Sequence, residues 1–113
     1  MTRKNLLAFM IIITLIIISS GCAQNPDQKD ITETAKTECI SMCYQQLEKG
    51  TDLSDGPCLS DPGVIANDWV CDVAHSPRQP IDNQQENQCK AFREGRARHF
   101  VEVDENCNII TVY

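Results

Sequence analysis

An α+β fold is predicted by three features of the sequence: a helical stretch from Asp30 to Lys49, two alternating stretches near the C-terminus, and six cysteines spread from Cys39 to Cys107. Together they predict a small disulfide-rich domain. An N-terminal helix packs on an antiparallel sheet of about three strands that ends in a C-terminal β-hairpin. The chain has 113 residues, enough for one domain. Its organisation reads as an export segment over 1–21, a flexible tether over 22–29 and one cysteine-rich domain over 30–113.

The helix is bounded by signals at both ends. Asp30 is a plausible N-cap with Glu33 three residues on, as in a capping box. Cys39, Met42, Cys43 and Leu47 recur at helical spacing, and Lys49-Gly50 is a stop signal. On a helix Cys39 and Cys43 share one face, so each is expected to bridge to a distant cysteine rather than to the other. The segment from Thr51 to Gly63 reads as a loop, with Gly56-Pro57 and Asp61-Pro62-Gly63 as turn signals.

A strand is expected near Trp69–Val73, where Trp69, Cys71 and Val73 alternate with Asp68 and Asp72, although Val70 blurs the pattern. Two prolines between His75 and Pro80 end it. The segment from Gln88 to Ala97 reads as a short helix limited by Gly95. The hairpin is the clearest β-signal. Val101 and Val103 alternate with Phe100 and Glu102, Asp104-Glu105-Asn106 turns the chain, and Ile109, Ile110 and Val112 resume the strand character. Asn106 is the residue best suited to left-handed backbone there.

The first residues have a three-part plan. Arg3 and Lys4 are followed by an apolar stretch from Leu6 to Ile18, interrupted only by Thr14, and then by Ser19, Ser20, Gly21 and Cys22. A positive start, a short apolar run and small residues read as a signal peptide. The run is shorter than the ~20 residues that span a bilayer. Ile18-Ser19-Ser20-Gly21-Cys22 resembles the prokaryotic lipoprotein signal, with Ser19 standing where that pattern usually carries Leu. The resemblance covers the N-terminal fifth alone, and no family is recognised for the rest. It implies cleavage before Cys22 and a lipid on its sulfur, which would tie the domain to the extracytoplasmic side of a membrane. Three other readings stay open: cleavage after Ala23, an uncleaved anchor from Asn5 to Ala23, and a Cys22 that pairs within the fold.

Seven cysteines are an odd number for an exported chain. Setting Cys22 aside leaves Cys39, Cys43, Cys58, Cys71, Cys89 and Cys107, which read as three disulfides of unknown pairing. Cys39 and Cys43 have no second close pair to complete a zinc site. Asp52, Asp55 and Asp61 lack the spacing of a calcium loop. No cofactor or metal is therefore expected.

Charge narrows the partners. Without Arg3 and Lys4, 8 of the 10 basic residues remain against 16 carboxylates, a net charge of −8. Such a surface repels nucleic acid and anionic bilayers, so attachment to a membrane would need the lipid. Lys90, Arg93, Arg96 and Arg98 form the one basic cluster, a possible patch for an anionic ligand or acidic protein partner. The alternative is a solvated face pairing with Glu94 and Glu102.

No residue set imposes catalysis. His75 and His99 would each need a nucleophile and an orienting acid. A redox enzyme would want Cys-x-x-Cys, which is absent. The expected function is a non-enzymatic, membrane-anchored binding or structural module. The alternatives are an inhibitor of exported enzymes using the loop from Cys58 to Pro62, and a minimal hydrolase using His75 or His99.

Overall fold

The computed structural model describes Gly21, residues 25–60, Ile65 and residues 68–113. Residues 1–20 of the signal segment, Cys22, Asp61 and Pro62 lie outside these residues. Among the described residues no helix is long and apolar enough to cross a membrane.

The fold is α+β. Helix α1 (Pro26–Glu48) packs on a three-stranded sheet of β1 (Trp69–Val73), β2 (His99–Val103) and β3 (Ile109–Val112), in the order β1-β2-β3. Helix α1 starts four residues before the expected Asp30. Asn25 is its N-cap, accepting the Asp27 N–H, and Pro26 opens the first turn, where its missing N–H costs nothing. Much of the predicted tether is therefore helical, though exposed. At the other end Gly50 adopts φ +77°, and the Gly50 and Thr51 N–H groups bond back to Leu47 and Gln46.

The sheet is mixed rather than purely antiparallel. Strands β2 and β3 form the expected hairpin, but β1 runs parallel to β2. A parallel pair needs a long crossover, and residues 74–98 supply it. They carry two 3-10 turns (Pro80–Asn83 and Gln85–Asn87) and the four-residue helix α2 (Lys90–Arg93). Gly95, at φ +73°, ends that helix as expected. In the hairpin loop the left-handed residue is Cys107, not Asn106, while the Asp104 carboxylate accepts the Asn106 and Asn108 N–H groups.

All six cysteines of the domain are paired: Cys39–Cys71, Cys43–Cys107 and Cys58–Cys89. The first two bolt α1 to β1 and to the hairpin loop, as the shared helix face requires. Ala35, Cys39 and Cys43 form the buried stripe of α1. With Leu53, Trp69, Val73, Val101 and Val103 they make the main core. In the loop-entropy account each bridge adds roughly 3–5 kcal/mol. Three structural disulfides belong to an oxidising, extracytoplasmic compartment.

The opposite face of the sheet carries a second, smaller core of Val70, Cys89, Ala91 and Ala97, with Cys58 and Phe100 against it. This explains Val70, which breaks the alternation of β1 because the crossover covers it. The third disulfide ties that crossover to the segment running beside β1, where Cys58 bridges to Asp72 and the Leu59 N–H bonds to the Cys71 carbonyl.

Candidate functional site

The parallel register sets the floor of the site. It places Val70 beside Phe100 and Asp72 beside Glu102 on the face turned away from α1. Arg78 reaches in from the proline-rich segment, while Gln88, Cys89, Phe92 and Arg93 stand on the crossover. These side chains line a cleft of about 450 Å³. Beyond it the aromatic surface continues. Phe92 meets Phe100 edge-on at 5.0 Å between centroids, and Tyr113 stacks on Phe100 at 5.4 Å.

The four charged groups of the cleft are not equivalent. Arg78 is fully engaged: it donates to Glu102 at 2.9 Å, to Asn83 at 2.9 Å and to the Asp82 carbonyl at 3.1 Å. Glu102 is mostly covered, so this pair closes one end. Asp72 has no ion pair among the described residues. Burial, and then the facing Glu102 carboxylate, push its carboxyl up to about 8, against the pull of Arg78 and of the Val73 N–H. At neutral pH it is mostly protonated, so it offers an O–H rather than a negative charge. Arg93, on the exposed turn of α2, also has no ion pair among the described residues.

The predicted basic patch is divided among different partners. Lys90 and Arg96 both approach Glu94, at 3.8 and 2.8 Å. Arg98 binds Asp68 through its Nε at 2.7 Å and through its backbone N–H at 2.8 Å. Of the four, only Arg93 lines the cleft. The expected pairing with Glu94 is present, but Glu102 is taken by Arg78 instead.

The rim of the cleft is held by a buried carboxylate. Asp82 accepts the His75 ring Nδ1 at 2.8 Å, the His75 N–H at 3.1 Å and the Gln79 N–H at 2.8 Å. Burial raises its pKa, but these donors outweigh burial and hold the carboxyl below its ordinary range. Gly56 makes room for it. A Cβ there would lie 2.6 Å from Asp82 Oδ1 and 2.9 Å from the Val73 carbonyl, and φ is +68°. His75 thus has the orienting acid a hydrolase would need. Among the described residues no hydroxyl or thiol is hydrogen-bonded to its other ring nitrogen. His99 stacks on Trp69 with centroids 4.8 Å apart, and its Nδ1 lies 3.3 Å from the Tyr113 carbonyl.

Two other sequence readings can be placed. Residues 58–60 of the suggested inhibitory loop run along β1, and Ser60 is buried with its hydroxyl accepting the Cys71 N–H. Cys58, Asp72 and Cys89 crowd within 4.8 Å of one another. Both sulfurs are bonded to each other, so neither is a thiolate for a metal.

No protein-family model matches this chain, and comparison with curated proteins and with solved structures finds no match either. The site is therefore read from its own geometry. Sequence reasoning missed Asp72, Arg78, Phe92, Phe100 and Glu102 as a group. The signal that points to them is the pair of apolar residues, Val70 and Phe100, on the otherwise polar face of two strands.

Proposed function

We propose that the chain is an exported lipoprotein, held by a lipid on Cys22 at the extracytoplasmic side of a membrane, and that its domain is a non-enzymatic binding module. The observation that carries the reading is the closed disulfide set. Cys39, Cys43, Cys58, Cys71, Cys89 and Cys107 are satisfied among themselves, which leaves no partner for Cys22. That residue follows an apolar segment and small residues, where a free thiol has a use as a lipid acceptor. The acidic domain has no basic face for an anionic bilayer, so two or more acyl chains would supply the attachment. The cleft supports binding because it combines apolar walls with a few convergent polar groups, the usual composition of a ligand site.

Intact mass of the protein taken from its native membrane tests this. The expected chain starts at Cys22, carries a lipid increment and lacks six hydrogens. A chain that begins elsewhere, or one with free thiols in the domain, contradicts it. The His75–Asp82 pair favours one second reading, a minimal hydrolase. His75→Ala separates the two: a binding module keeps its ligand, whereas a hydrolase loses its turnover.

A further inference from the structure

The cleft holds an imbalance that the fold itself does not use. Arg78 and Glu102 neutralise each other at 2.9 Å. Facing Asp72 are Glu102 from β2 and Arg78 and Asp82 from the crossover, while Arg93 of α2 lines the same cleft. With Asp72 protonated, the cleft charge left without an ion pair among the described residues is the Arg93 guanidinium, whose neighbour Glu94 is already engaged by Lys90 and Arg96. It stands beside Phe92, Phe100 and Val70, in a chain whose remaining surface is acidic. An apolar wall with, at its edge, a cation that holds no ion pair selects for an apolar body ending in an anion. A guanidinium meets a carboxylate with two parallel N–H donors, and the Asp72 O–H adds a further donor within the same cleft. A ligand amine would instead meet Arg78 and Arg93.

Resting on the binding-module reading, we propose that the cleft binds a small apolar carboxylate, its aromatic or aliphatic body laid over Val70, Phe92 and Phe100 and its carboxylate on Arg93. A volume of about 450 Å³ suits a small molecule.

Equilibrium dialysis of the full chain in lipid nanodiscs, with empty nanodiscs subtracted, tests this with 4-phenylbutyrate as probe. Saturable binding is expected. Arg93→Gln, an exposed substitution that leaves the fold in place, weakens it by about tenfold or more. Replacing the acid with 4-phenylbutyramide has a similar effect. Raising the pH from 7 to 9.5 ionises Asp72 and weakens binding to the wild type, but not to Asp72→Asn. If the amide or 4-phenylbutylamine binds as well as the acid, or if Arg93→Gln changes nothing, the carboxylate assignment is overturned while the binding-module reading stands. A hexapeptide ending in a free phenylalanine carboxylate that binds more tightly than 4-phenylbutyrate overturns the small-molecule assignment. No saturable binding of any probe overturns both readings.

Discussion

On the helix side of the sheet, Cys71, Val73, Val101 and Val103 are at most 1 % exposed, and two disulfides cross to the elements around them. On the other side the same two strands present Asp72 beside Glu102, two carboxyl groups set next to each other in a parallel register. The first arrangement removes apolar area from water and needs no polar partner. The second sets two carboxyl groups side by side, which the sheet accommodates only because Asp72 holds its proton and Glu102 is paired with Arg78, and it leaves an open cleft above them. A face built for stability alone would carry an apolar or oppositely charged pair at those positions. The contrast teaches that the stapled face maintains the fold, and that the open face keeps side chains whose value lies elsewhere.

The largest break in this contrast comes from unbolting the closed face. Cys43→Ala/Cys107→Ala removes the bridge with the longest separation, 64 residues, and should cost about 2–5 kcal/mol in urea unfolding. Cys58→Ala/Cys89→Ala, on the cleft side with a separation of 31, should cost less. Equal losses would erase the distinction between the faces. Next comes Gly56→Ala, which sets a Cβ against Asp82 and Val73 on a left-handed backbone and should cost about 2–4 kcal/mol. Asp82→Ala should cost about 1–3 kcal/mol by leaving the His75 and Gln79 donors without their acceptor. Its pH dependence has a definite sign. The Asp82 pKa is lowered in the folded state, so its contribution is present above the ordinary carboxylate range and is lost as pH falls through the folded value. Acid titration of the wild type, but not of Asp82→Ala, should show that loss. The smallest effect belongs to Arg96→Ala, an exposed pair with Glu94 that should change stability by less than about 0.5 kcal/mol.

Much of the stapled face was legible in the sequence. The spacing of Cys39 and Cys43 predicts two long-range bridges from one helix face, and Gly50 stops that helix where the structure does. The hairpin is written in the alternation of residues 99–103 and in the turn residues after them. The direction of β1 was not legible. The crossover that makes it parallel has 3-10 turns and one short helix in place of a long periodic helix, so it reads as a polar loop with a short helix and not as a connection between parallel strands. The cleft was hidden for the same reason. Asp72 and Glu102 occupy the polar positions of alternating strands, which normally signal solvent. Only the parallel register sets them side by side, with Arg78 and Arg93 brought over from the crossover. The basic cluster at Lys90, Arg93, Arg96 and Arg98 was visible, and so was pairing with Glu94, but sequence order does not reveal that Arg98 pairs with Asp68 or that Arg93 is the member lining the cleft.

Thermal unfolding of Asp72→Asn against the wild type, from pH 4 to pH 9, tests most directly whether the open face carries groups retained at a cost to stability. The folded-state pKa of Asp72 is raised to about 8, so the folded protein holds a proton that the unfolded chain releases near its ordinary value. Wild-type stability from this group is intact below the ordinary carboxylate range and is lost progressively as pH rises to about 8. The account predicts that Asp72→Asn has the higher Tm at pH 9, and that this advantage shrinks towards pH 4. A lower Tm for Asp72→Asn at pH 9 would mean that the ionised carboxyl stabilises the sheet, and would contradict the division between a stapled face and an open, ligand-binding one.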